Sequence, residues 1–194
     1  GYTSVLPKDK APLAMTLKLN GYATSQFGKC HEVPVWQTSP MGPFDSWPTG
    51  GGGFEYFYGF IGGEADQYYP GIYEGTIPVE PNKTPEEGYH FTEDITDKAI
   101  EFIRDAKAVA PDKPFFMQLC YPTAHSPLQA RGRERDAYRG AYDAGWDAVR
   151  SATSTWRTTP NSTAKSHSKY RAVSGFHRLR TWTSLCRRLA QPQG

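Results

Sequence analysis

Apolar positions first recur at helical spacing at Leu13, Ala14, Met15, Leu17 and Leu19, predicting a helix over Ala11–Asn20. Pro12 suits its first turn, and Gly21 is placed to follow its end. Tyr22–Gly28 then reads as a short extended strand that runs directly into Lys29-Cys30-His31. From Val33 to about Glu80 neither period holds. Aromatic residues such as Trp36, Phe44, Trp47, Phe54, Phe57 and Tyr73 alternate there with glycines, including Gly50–Gly53. That density of large rings predicts a long ordered excursion packed on the body, because each ring has much area to bury. Ile95, Ala99, Ile100, Ile103 and Ala106 mark one face of a second helix, with Thr92 as its expected cap and Glu93 and Asp94 in the first turn. After the turn Pro111–Pro114, Phe115–Tyr121 is an apolar run suited to a buried strand of a parallel sheet, ending at Pro122 before the loop Thr123–Pro127. Tyr138, Tyr142 and Trp146 suggest a last helix over Glu134–Arg150, weakened by Gly140 and Gly145.

Helix, strand, helix, strand in this order is the signature of an α/β fold. In open sheets of that class, ligands bind beyond the carboxyl ends of the strands. Both predicted strands deliver ionisable residues there: Lys29 and His31 from the first, His125 from the second. Lys29 and His31 are two apart, which on extended backbone puts both on one face. A fixed ammonium beside imidazoles suits an anionic substrate, since Lys holds an oxyanion and His exchanges protons near neutrality. The competing reading is a solvated surface lysine and structural histidines.

The length of 194 residues fits one domain or a piece of a larger one. There is no run of about 18 apolar residues, so no membrane span is expected. Three cysteines are too few and odd in number for a disulfide framework. The net charge of +2 hides an uneven distribution. Residues 151–194 hold eight basic and no acidic side chains, leaving residues 1–150 with 14 basic against 20 acidic, a net charge of −6. The tail is a basic arm for polyanions, a disordered terminus, or a stretch that is not the native continuation of the body.

Gly21-Tyr22-Ala23-Thr24 with Gly28-Lys29-Cys30-His31 strongly resembles the Gly-Tyr-x-Thr…Gly-Lys-x-His segment of the type I sulfatases. Gly53-Phe54-Glu55-Tyr56-Phe57-Tyr58-Gly59-Phe60 is similar to a Gly-Phe-(Asp/Glu)-x-Phe-x-Gly-Phe region of bacterial arylsulfatases. Pro114-Phe115-Phe116 and His125-Ser126-Pro127 look like the family's next strand and its His-x-Pro loop, and Gly140–Asp147 adds a fourth block over residues 1–150. The resemblance implies an alkaline-phosphatase-like α/β sandwich, with a mixed, mostly parallel sheet between helices. It implies that Lys29 contacts the sulfate of a small-molecule sulfate ester, that His31 steadies the formylglycine nucleophile, and that His125 lies at the ester as proton donor to the leaving alcohol. Calcium and formylglycine are the implied cofactors.

The chain departs from the pattern where it matters for turnover. No Cys/Ser-x-Pro-x-Arg motif is present; Cys120-Tyr121-Pro122-Thr123-Ala124 puts Ala where Arg is needed. No Asp-Asp or Asp-Asn pair occurs to hold a metal. Residues 1–150 are therefore expected to be a partial sulfatase catalytic domain without turnover of its own, and residues 151–194 a basic tail, read from a shifted frame or disordered. The alternatives are a phosphodiesterase or phosphonate hydrolase of the same superfamily, and a non-catalytic polyanion-binding protein; with no recognition motif among the basic residues, no nucleic-acid partner is expected.

Overall fold

The computed structural model describes residues 3–158 of the chain. Two compact units divide the described residues, one ending at Gln129 and the other beginning at Ala130. The first contains a five-stranded mixed sheet. Its elements are α1 (Leu13–Leu19), β1 (Ala23–Cys30), a 3-10 turn (Val35–Gln37), β2 (Tyr56–Ile61), β3 (Ile72–Glu74), β4 (Ile77–Val79), α2 (Phe91–Val109) and β5 (Phe115–Cys120). The strand order is β4-β3-β2-β1-β5. β1 pairs in parallel with both β2 and β5, while β3 and β4 add antiparallel hairpins beside β2. The α/β class expected from the sequence holds.

The sheet is covered on both faces, each by residues that the period-2 alternation of β2 selects. On one face Phe27, Tyr58, Phe60 and Ile72 pack against Phe91, Ile95 and Ala99 of α2. Each fully buried aliphatic or aromatic side chain there contributes roughly 1.5–3 kcal/mol. On the other face Phe57 and Cys30 pack with Val33 and Trp47 of the aromatic excursion. Trp47 is fully buried; its indole N–H donates to the Gln37 carbonyl (2.7 Å), and Phe44 and Tyr73 meet it edge-on at 5.2 and 5.1 Å. Asp94, in the first turn of α2, accepts from the hydroxyls of Tyr58 (2.7 Å) and Tyr89 (2.9 Å). Burial, with the nearby Asp94 charge, pushes both phenols above their ordinary range and keeps them as neutral donors.

Four details differ from the expectations. The excursion after Val33 contains three strands, β2 among them in the parallel part of the sheet. With residues on both faces buried, Tyr56–Ile61 shows no apolar–polar alternation to betray it. α2 begins earlier than expected, with His90 at the cap and Thr92 inside the helix, because Phe91 N–H already has a partner in the Gln67 carbonyl (2.8 Å). β5 is half-buried rather than buried, since it forms one end of the sheet among the described residues.

The single helix expected over Glu134–Arg150 is instead two in the second unit, α3 (Gly132–Asp136) and α4 (Trp146–Thr158). Gly140 and Gly145 lie at φ +78° and +83°, a backbone state that ends helices, and Tyr138 and Tyr142 stack at 6.1 Å in the turn between. α4 continues through the compositional break at Ser151. The rest of the basic tail, from residue 159, lies outside the described residues.

Candidate active site

The carboxyl ends of β2, β1 and β5 lie side by side, and the site residues follow from what each strand carries past its end. In β1 the backbone at Gly28 has φ +90°, and a Cβ there would sit 2.0 Å from the carbonyl oxygen of Cys120. Its register partner is Gly59, where a Cβ would sit 1.9 Å from the Gly28 oxygen. Glycine at these two positions lets three strands approach closely just before the site begins.

Lys29 follows, half-buried, as the penultimate residue of β1. Its carbonyl accepts from Gln26 Nε2 at 3.3 Å. Gln26 is itself buried, and its Oε1, like the Ser25 hydroxyl, has no hydrogen-bond partner among the described residues. Cys30 is buried under the Trp47 cluster, and that burial pushes its thiol up to about 12. A thiol held neutral in this way is an ordinary packing residue and no nucleophile. The Cys30 carbonyl accepts from Gly62 N–H (2.7 Å), which locks the end of β1 to the end of β2.

His31 is exposed just beyond the strand, its own carbonyl accepting from the Ser4 hydroxyl at 3.3 Å. Its ring lies over Gly63, where a Cβ would come within 3.0 Å of His31 Cε1. The next residue, Glu64, reaches His125, with Oε2 3.6 Å from Nδ1. Both side chains are about half exposed or more, 49% for His125 and 61% for Glu64, so this pair orients more than it stabilises. His125 Nδ1 also lies 2.9 Å from the Ser126 carbonyl. A carbonyl only accepts, so Nδ1 carries the proton and Nε2 is the nitrogen left for a substrate. When the ring is doubly protonated, Nε2–H becomes a donor toward whatever lies above the sheet edge.

Contacts thus run from His31 through Gly63 and Glu64 to His125. Lys29 shares the same edge, but among the described residues no hydrogen bond or ion pair joins it to either histidine. Glu64 was missed by sequence reasoning. Its signal was position alone, three residues after a strand that itself went unread.

Comparison with known proteins bears on what such an edge is for. The Sulfatase family profile matches residues 1–179. The chain belongs to the sulfatase family. The matched span passes the compositional break at Ser151. Arylsulfatase J of Mus musculus is 31% identical over an alignment of 144 residues that covers 69% of this chain and 22% of that protein. Two crystal structures of Ps i-CgsB, one in complex with k-i-k-neocarrahexaose, share the fold. They align with TM-scores of 0.56 and 0.57 at 23% and 22% identity, covering 72% of this chain and 32% of theirs. The chain therefore spans about a fifth of the length of the curated relative it matches and a third of these structures.

Among the described residues the donor set does not fit the cofactors that the resemblance implies. Among the described residues no group of three or more His, Cys, Asp or Glu side chains is placed to hold a metal ion. The sequence has no Cys/Ser-x-Pro-x-Arg run, and Cys30 is buried and neutral. What this sulfatase segment offers is one ammonium and two imidazoles, with a carboxylate beside one of them.

Proposed function

We propose that this sulfatase chain supplies the anion-holding and leaving-group side of a sulfuric ester hydrolase site of arylsulfatase type. Lys29 holds a sulfate oxygen as a fixed cation, His31 steadies the attacking group, and His125 delivers a proton from Nε2 to the departing alcohol or phenol oxygen. The observation that carries this reading is the placement of His31, Glu64 and His125 in one line of contacts across the ends of three adjacent strands, with the His125 tautomer fixed by Ser126. The likeness to Arylsulfatase J supports aryl sulfates as the first substrates to try.

The nucleophile and any calcium ligands come, in this reading, from residues outside the 194, so the chain alone has no turnover. Residues 1–150 are assigned to a partial catalytic domain and residues 151–194 to a basic tail. Sequencing the coding DNA on both sides tests these assignments. An in-frame Cys/Ser-x-Pro-x-Arg upstream is the expected result, and a long in-frame upstream stretch without one overturns the reading.

A further inference from the structure

Proton delivery needs His125 held to within about half an ångström, yet it sits on an exposed loop. The loop is gripped at two points. On its amino side, Thr123 Oγ1 lies 3.0 Å from Thr92 Oγ1, and Thr92 in turn donates to Gln67 Oε1 (3.2 Å), so Thr123 is the donor of the first bond. On its carboxyl side Gln129 does the work of three contacts. Its Oε1 accepts from the Gln67 backbone N–H (2.7 Å), its Nε2 donates to Asp66 Oδ2 (2.7 Å), and its carbonyl accepts from His90 Nε2–H (3.0 Å). Asp66 is fixed from its other oxygen by the N–H groups of Tyr68 (2.8 Å) and Tyr69 (2.9 Å). Gln67 and His90 are buried, and the Gln67 carbonyl caps α2 through Phe91 N–H. Both the oxygen and the nitrogen of the Gln129 side-chain amide are thereby engaged on the segment that follows Glu64.

We propose that Gln129 is a positioning residue for His125. Through Asp66, Gln67 and His90 it ties the loop after β5 to the loop after β2, and so sets how His125 meets Glu64 and the Ser126 carbonyl. Freeing it returns backbone conformational freedom to the segment between Thr123 and Gln129. The ring then loses its single orientation while the sheet beneath is untouched. The proton-donor role of His125 rests on the sulfatase reading above; the clamp itself does not.

The test uses the 194-residue chain labelled with 15N in histidine and tryptophan, reading the His125 Nδ1–H signal, with the Trp47 indole N–H as a report on the core. In the parent chain His125 should show a protected Nδ1–H. Gln129→Ala should abolish that signal and leave Trp47 unchanged. Asp66→Asn is the milder second variant: it keeps the oxygen facing Tyr68 and Tyr69 but sets two amide donors against each other at Gln129, and should also weaken the His125 signal. Combining Asp66→Asn with Gln129→Glu exchanges donor and acceptor, and should restore it. If Gln129→Ala fails to fold, the Asp66→Asn variant and the combined one decide. An unaltered His125 signal in the single variants overturns the proposal, as does a parent chain with no protected Nδ1–H. So does loss of His125 and Trp47 together in every variant. Because no turnover is measured, failure of the clamp is distinguishable from failure of the sulfatase reading.

Discussion

Replacing Gly28 by Ala attacks the site from beneath without touching any residue proposed to meet substrate. Its φ of +90° is one that L-residues avoid, at a cost of about 1–2 kcal/mol. The new Cβ would also lie 2.0 Å from the Cys120 oxygen and 3.3 Å from Ile95 Cδ1. The first obstacle is backbone, which cannot rotate aside, so β1 and β5 must separate; overpacking of that kind costs roughly 1–3 kcal/mol. Together Gly28→Ala should lose about 2–5 kcal/mol of a total stability on the order of 5–15 kcal/mol. Urea unfolding followed by circular dichroism reads this as a midpoint lowered by roughly 1 M or more at unchanged slope. Gly71→Ala is the control, because nothing lies within 4 Å of a Cβ there, and it should stay within about 0.5 kcal/mol of the parent. Equal midpoints for the two variants would refute the close-approach reasoning and with it the idea that glycine sets the geometry leading into Lys29.

Other consequences can be checked together. Phe27→Ala, removing a fully buried ring from the cluster under α2, should cost about 3–5 kcal/mol in the same denaturation assay. Cys30, its thiol pushed up to about 12 by burial, should react with a maleimide at pH 8 far more slowly in the folded chain than in urea. Partial burial works against ionising Asp66, but the hydrogen bonds from Gln129, Tyr68 and Tyr69 outweigh it and hold the carboxyl below its ordinary 3.8. A lowered folded-state value means that its stabilisation is present above 3.8 and is lost as pH falls through the lowered value. The stability difference between the parent and Asp66→Asn should therefore shrink in acid and be constant near neutrality.

The parts of this fold set by local chemistry were legible. The period of Ile95, Ala99, Ile100 and Ile103 located α2, and the run into Lys29-Cys30-His31 located β1 and its carboxyl end. β2 was not, because Phe57 is buried on one face and Tyr58 and Phe60 on the other, which erases the alternation that marks a half-exposed strand. The missed contributors share a different cause. Glu64 meets His125 and Gln129 meets Asp66 across some sixty residues of chain, and Gln129 and Asp66 are 63 apart. No local pattern encodes such pairings; they exist only once β1 has brought β2 and β5 together. His125 was placed by a motif, but the residues that hold it were visible only in three dimensions.

Hydrolysis of an aryl sulfate, measured side by side for the 194-residue chain and for the product of the same coding DNA extended upstream through a Cys/Ser-x-Pro-x-Arg run, bears most directly on the assigned role. The chain alone should show none, and the extended product should turn over and lose most of its rate on Lys29→Ala or His125→Ala. Turnover by the 194-residue chain itself, or an extended product indifferent to both substitutions, would contradict the placement of Lys29 and His125 at the sulfate ester.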